Sequence, residues 1–297
     1  MNRYDIIFIG QMSKYTVVPF EGSPFNEWGG SVLFASIAAS CLEKMIAVVT
    51  KISESEEYLL EPMKAAGIDL FVQPGGIREG RIVFPTGNVD ERQFFRVKVG
   101  DPFAISDIPP FEPCLVHSCC MGVREFQLDL MRALKARGFR LSVDMQGFML
   151  QADNGTTGAI HLKDVPEKKE ILSMAHFVKL DAMEAQILTG ADVLQDQADI
   201  LEDWGSSETI ITSSEGVMAR SKGKTTFAKF TNRSTKSRMG RGDTVMGSYL
   251  ARRLDHSVED SLRFAAALTS IKLESAGHFR GSLDDVIERM DRSFSSE

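Results

Sequence analysis

The chain has 297 residues, of which 43% are apolar and 25% charged, with 34 Lys and Arg against 41 Asp and Glu, a formal charge of −7. Those proportions match ordinary globular proteins and exclude disordered, collagen-like and fibrous classes, while the length allows one large α/β unit. An acidic chain gains nothing from counterion release on a nucleic-acid backbone, so a dedicated nucleic-acid binder is excluded and any phosphate must be met by local geometry.

The opening run Asp5 to Ile9 is too short for a secretory leader and reads as a buried strand. No stretch approaches the ~18 uninterrupted apolar residues of a membrane-spanning helix. Four cysteines (Cys41, Cys114, Cys119, Cys120) are too few for a disulfide framework. A cytoplasmic enzyme with reduced thiols and no membrane partner is expected.

Further along the chain, Leu33 to Leu42 has a small-residue helix pattern and Met45 to Val49 is the next strand. Glu56 to Ala66 reads as a helix stopped by Gly67. The alternation continues with strand Leu115 to His117, helix Arg124 to Arg137, strand Arg140 to Val143, strand Phe177 to Leu180 and helix Ala182 to Leu188. Strand Thr209 to Thr212, a hairpin about Lys222-Gly223-Lys224, and helices Asp243 to Leu254 and Val258 to Leu273 complete it. Strands alternating with helices predict a doubly wound α/β fold with a parallel sheet covered on both faces. Two segments, about 11–28 and 78–103, lack the helical period and carry alternating pieces such as Arg81-Ile82-Val83-Phe84 and Gln93-Phe94-Phe95-Arg96-Val97. They predict a small antiparallel β lid outside the main sheet, on a single domain spanning 1–297. An open lid edge predicts pairing with a second copy in a homodimer.

The stretch Met239-Gly240-Arg241-Gly242-Asp243-Thr244 carries the chemistry. Two glycines one residue apart lead into an amphipathic helix with Val245, Met246, Tyr249, Leu250 and Leu254 on one face. Glycine lets backbone N–H groups turn toward an anion, and the helix start adds positive partial charge. Asp243, expected at the first helical position, is stabilised as a carboxylate there and stands where it accepts a proton from an attacking hydroxyl. An ordinary helix cap is the plain alternative for such a turn.

This arrangement resembles the ribokinase-like, phosphofructokinase B-type (PfkB) carbohydrate kinase family, whose late Gly-Ala-Gly-Asp turn opens a helix. Gly240-Arg241-Gly242-Asp243 stands in its place. Gly29-Gly30 before Ser31-Val32-Leu33-Phe34 resembles the family's early glycine pair near the sugar, and Asp181-Ala182-Met183-Glu184 its Asn-x-x-Glu. Ile211-Thr212-Ser213-Ser214-Glu215-Gly216 resembles its Thr-x-Gly-x-x-Gly segment along ATP. Leu141 to Gln146 and Gly29 to Phe34 are most similar to inositol or polyol kinases.

The resemblance implies a three-layer ribokinase-like fold and ATP-dependent phosphorylation of a hydroxyl on a small sugar or polyol. Asp243 would be the base, and Gly240, Arg241 and Gly242 the anion hole. Thr212, Ser214 and Gly216 would line ATP, Gly29 and Gly30 the acceptor, and Asp181 and Glu184 would order Mg2+ through water. A nucleoside acceptor, or a catalytically impaired binding homologue, is the alternative. The chain departs from the family at Arg241 between the glycines and at Ser237-Arg238, where Asp-Thr is common and where the family's frequent monovalent-cation site draws its aspartate. It departs again at Phe34 in place of Asn and at Ser214 in place of Gly. A Gly-x-x-x-x-Gly-Lys-[Ser/Thr] P-loop, a dinucleotide fingerprint and a Gly-x-Ser-x-Gly elbow are all absent. His117-Ser118-Cys119-Cys120 lacks zinc spacing and reads as a core strand, and Asn154-Gly155-Thr156 as a turn.

Overall fold

The computed structural model describes residues 2–87, 91–119, 126–152 and 158–294. Cys120, the expected helix start at Arg124 and the Asn154-Gly155-Thr156 turn lie outside them.

The chain opens with β1 (Ile6–Ile9), then β2 (Ser13–Val18), β3 (Phe25–Gly29), α1 (Ser31–Ala39) and β4 (Ile46–Ile52). Next come α2 (Glu61–Ala65), β5 (Asp69–Pro74), β6 (Arg78–Val83), β7 (Gln93–Lys98) and β8 (Leu115–Ser118). The middle carries α3 (Leu128–Ala136), β9 (Arg140–Asp144), α4 (Gln146–Met149), β10 (Leu150–Ala152), β11 (Ala159–Leu162), α5 (Lys168–Met174) and β12 (Phe177–Asp181). The last third holds α6 (Ala182–Thr189), α7 (Leu194–Asp203), β13 (Glu208–Thr212), β14 (Gly216–Ser221), β15 (Lys224–Lys229), α8 (Arg241–Arg253), α9 (Val258–Leu273) and α10 (Leu283–Phe294).

The main sheet runs β15-β14-β13-β12-β9-β8-β1-β4-β5. It is parallel from β13 to β5, with the β14–β15 hairpin antiparallel at one edge. Alternation along fully buried β1 shows why both faces must be covered: Ile6 and Phe8 join a core with α1, α8 and α9, while Ile7 and Ile9 join one with α3, α5, α6 and α7. The architecture is the three-layer α/β fold that the alternating pattern predicts. β8, including His117, is a buried core strand.

The second sheet, β10-β11-β7-β6-β2-β3, takes the place of the expected antiparallel lid, but it is mixed: β2 and β6, from separate segments of the chain, pair in parallel, and the other pairs are antiparallel. Segments 11–28 and 78–103 supply four of its strands, and β10 and β11 extend it beyond them. Those two strands escape the sequence pattern because they are only three and four residues long. Three other boundaries also shift. Glu56–Ala66 splits into a 3-10 turn and α2, because Pro62 lacks the N–H a continuous helix would need and sits in the first turn of a new one. α4, α5, α7 and α10 are helices, and β5 a strand of the main sheet, additional to the expected set. α8 starts at Arg241, so Asp243 is its third residue, not its first: Gly240, in the left-handed conformation, already serves as N-cap.

Candidate active site

The C-terminal ends of the parallel strands carry the polar residues, as open α/β sheets generally place them. Gly240 has φ 73°, and a Cβ there would come within 2.2 Å of the Phe34 ring, so both backbone conformation and packing demand glycine. No side chain among the described residues caps this helix end, which leaves the dipole and the amides of the first turn for an outside anion. Gly242 has a different reason: a Cβ would lie 2.7 Å from Lys179 Cε, so its absence lets the lysine reach under the turn.

Lys179, on β12, is fully buried and donates to Asp144 Oδ2 at 2.9 Å, with Glu184 Oε2 4.0 Å away. Burial works against its ammonium, but Asp144, Glu184, Asp243 and Asp181 together raise its pKa and keep it charged. Asp243 is 7% exposed. Burial pushes its carboxyl above the usual range; Lys179 opposes and Asp144 assists the rise. A carboxylate with a raised pKa is a better proton acceptor than a solvated one.

Asp181 and Glu184 prove to be a capping box. Asp181 Oδ1 accepts from the Glu184 N–H at 2.9 Å, and Glu184 Oε2 accepts from the Asp181 N–H at 2.7 Å. Glu184 is completely buried, and its other oxygen accepts from Gln146 Nε2 at 2.7 Å. Burial and the neighbouring Asp181 carboxylate push Glu184 upward. Burial would also raise Asp181, yet Arg92 and Lys179 hold it below the usual range. Arg92, just before lid strand β7, reaches Asp181 Oδ2 at 3.4 Å.

Three cavities meet here. One of about 660 Å³ lies between the lid and α1, lined by Ser13, Tyr15, Gly30, Phe34, Arg78 and Asp243 among others. A second of about 780 Å³ lies between β11, β7, α6 and α7, with Met183, Ile187, Leu194, Thr212 and Ser214 on its wall. Between them is a polar recess of about 50 Å³ bounded by Arg92, Lys179, Asp181, Arg238, Gly240, Arg241, Gly242 and Asp243. Asp243 borders both the recess and the first cavity, whereas Thr212, Asp181 and Arg241 border both the recess and the second.

The structure therefore brings together Gly240, Arg241, Gly242, Asp243, Asp181, Thr212, Ser214 and Gly30. Gly29 and Gly216 are set apart. A Cβ on Gly29 would strike Phe34 at 2.7 Å, and one on Gly216 would lie 2.3 Å from the Ala228 carbonyl oxygen, so both glycines serve close packing and neither lines a large cavity. Glu184 faces inward, its two oxygens taken by Gln146 Nε2 and the Asp181 N–H. Sequence reasoning missed Arg92, Arg78, Lys179 and Gln146; of these only Lys179 carried a signal, as a lone charge inside the apolar strand Phe177–Leu180. Among the described residues no cluster of three or more metal-ligating side chains occurs, and no helix is long and apolar enough to cross a membrane.

Comparison with known proteins agrees with this geometry. Residues 158–283 match the model of the pfkB family carbohydrate kinases. A cytidine kinase of Thermococcus kodakarensis is 27% identical over 262 residues, 83% of this chain and 87% of that protein. A pyrophosphate-dependent kinase in the ribokinase family, complexed with a pyrophosphate analog and myo-inositol, superposes with TM-score 0.86 at 27% identity, covering 95% of this chain and 99% of the other. The Arabidopsis thaliana ribokinase complexed with ribose and ATP shares the fold at TM-score 0.69 and 15% identity, over 97% and 99% of the two chains. With these residues gathered at the recess and its two flanking cavities, the chain is a phosphotransferase of ribokinase-like fold with an alcohol group as acceptor, and its residues 158–283 match the pfkB family carbohydrate kinases.

Proposed function

We propose that the protein transfers a phosphoryl group from ATP to a hydroxyl of a small sugar or polyol bound under the lid. The observation that carries this reading is the position of Asp243, whose residue borders both the lid cavity and the cation-lined recess. An acceptor hydroxyl beside Asp243 loses its proton to the carboxylate as its oxygen bonds to phosphorus and the donor's bridging bond breaks. The first turn of α8, with Lys179 behind Gly242, faces the charge on the transferring group. The neighbouring 780 Å³ cavity, with apolar Met183, Ile187 and Leu194, has room for a nucleoside. The lid excludes water, which limits wasteful hydrolysis of the donor.

The acidic residues fit Mg2+ only in part. Glu184 has both oxygens engaged inside the protein, so Asp181, whose Oδ2 meets only a 3.4 Å contact from Arg92 among the described residues, is the residue to order a hydrated ion. When bound, Mg2+ would neutralise phosphate charge.

Two second readings each rest on a specific observation. Inorganic pyrophosphate as donor is favoured by the four cations Arg92, Lys179, Arg238 and Arg241 that border the recess beside Asp181 and Asp243, and by the pyrophosphate-dependent relative. A nucleoside acceptor is favoured by Tyr15, Phe25, Phe34, Phe84 and Phe94 on the lid cavity, and by the cytidine kinase relative. Phosphoryl transfer measured over a grid of ATP and pyrophosphate against myo-inositol, hexoses, ribose and cytidine tests all of them. Acceptor-dependent product supports the kinase, and the productive pair identifies donor and acceptor. Tight acceptor binding without turnover for any pair would overturn the reading in favour of a binding protein.

A further inference from the structure

Lys272, in the last turn of α9, is a charged side chain that the reaction as described does not use. It is completely buried, a position lysine almost never takes without a partner. Its partners are not carboxylates. The ammonium donates to the main-chain oxygens of Ser237 (3.2 Å) and Met239, the two residues flanking Arg238 immediately before Gly240. It also lies 5.2 Å from the centroid of the Phe34 ring, the ring against which Gly240 packs. The same loop is tied to the lid: Ser237 Oγ donates to Glu27 Oε1 at 3.1 Å and accepts from the Met239 N–H at 3.2 Å.

We infer that Lys272 is a positioning residue, an internal cation whose ammonium gathers the 237–239 carbonyls and holds the Gly240 turn in the shape that receives the phosphoryl group. The inference rests on the phosphotransferase reading. Turning carbonyls of the loop inward onto one cation leaves the N–H groups of the following turn directed outward, which is the polarity an anion hole requires. A mobile ion could do the same from solution; a tethered ammonium loses no translational freedom on arrival and makes the loop independent of added salt.

The groups facing this ammonium are Glu27 from the lid, Asp243 and Arg241 from α8, and the Phe34 ring from α1. Burial lowers its pKa to about 8, with Arg241 assisting and Glu27 and Asp243 opposing. An arginine stays charged throughout the working range, but Glu184 is also raised to about 8, so an alkaline change centred there is assigned to Lys272 where it persists in Glu184→Gln.

The test uses the whole chain. Lys272→Met keeps length and shape without charge, and Lys272→Ala leaves a hole. Binding of methylenediphosphonate by calorimetry should weaken at least 10-fold in Lys272→Met, with kcat falling by a similar or larger factor and the acceptor KM within about twofold. Ammonium or methylammonium should restore part of the activity of Lys272→Ala, whereas tetramethylammonium, too large for the hole, should not. If neither variant folds, kcat of wild type and of Glu184→Gln alike should fall as pH rises through about 8, with acceptor KM unchanged. Wild-type anion affinity and kcat in a folded Lys272→Met, or a flat wild-type kcat up to pH about 9.5, would overturn the inference. Absence of wild-type transfer from any donor would instead overturn the phosphotransferase reading, and the calorimetric comparison still judges Lys272 in that case.

Discussion

Helices α6 and α8 both begin at the C-terminal edge of the sheet, and both carry an aspartate at their start, yet they end up with opposite chemistry. At α6 the aspartate is the N-cap itself, and Asp181 and Glu184 satisfy each other's backbone N–H groups in a closed box. At α8 the cap is glycine, no side chain among the described residues closes the turn, and the aspartate is displaced to the third position, where the residue borders two cavities. A capped helix end is complete and serves as scaffold; an uncapped one retains the capacity to bind charge. Burial raises the pKa of both Glu184 and Asp243, but only Asp243 borders the recess and the lid cavity.

Breaking the open end should give the largest effect. Asp243→Asn removes the proton acceptor while keeping shape, so kcat should fall by roughly 10² to 10⁴ with an unchanged circular dichroism spectrum and melting profile. Wild-type turnover would show that Asp243 is not the base. Closing the turn sterically is the next step down. Gly240→Ala must place a Cβ 2.2 Å from Phe34 and hold φ 73°, so it should lose at least about 1 kcal/mol of stability and roughly 10-fold or more in kcat, read by thermal melting and initial rates.

The link between the two helix ends is Arg92, a lid residue that lines all three cavities and touches Asp181. Arg92→Leu should raise the donor KM about 10-fold and the acceptor KM much less, since a charged hydrogen bond is worth ~1.5 kcal/mol or more. Equal changes in both would remove Arg92 from the donor side.

The closed end gives the smallest and most pH-dependent effect. Glu184 binds its proton more tightly in the folded protein than in the unfolded chain. Its contribution to stability is therefore full below the unfolded carboxyl range, and is lost as pH rises toward the folded value of about 8. Glu184→Gln removes that loss, and the side-chain oxygen of Gln146, which has no hydrogen-bond partner among the described residues, can accept from the new amide after a flip. The variant should melt a few degrees above wild type at pH ~8.5 and level with it at pH ~5; parallel melting profiles would contradict a buried, raised carboxyl.

The contrast also explains what the sequence could convey. Gly240 to Asp243 was legible because glycine spacing and the helical period are local, and Val258–Leu273 was delimited exactly for the same reason. The box at Asp181 and Glu184 was legible as a pair, but its direction was not: only the packing of Gln146 against Glu184 shows that the glutamate faces inward. Gly29 and Gly216 looked like ligand contacts because close packing and ligand approach both select glycine. Phe34, in place of the asparagine expected near the sugar, is the wedge between the two glycine turns, a role set by contacts more than 200 residues apart in sequence. Lys272, spelled Ile271-Lys272-Leu273-Glu274 at a helix end, has the pattern of a solvated C-terminal cation; only the loop folded over α9 buries it.

The most direct measurement is a crystal structure with a non-hydrolysable donor and the productive acceptor bound together. The terminal phosphorus should sit at the first turn of α8, within hydrogen-bond reach of the Gly242 and Asp243 N–H groups, with the acceptor oxygen between it and the Asp243 carboxylate. A donor phosphate bound outside the recess, or an acceptor whose hydroxyls all point away from Asp243, would contradict the account.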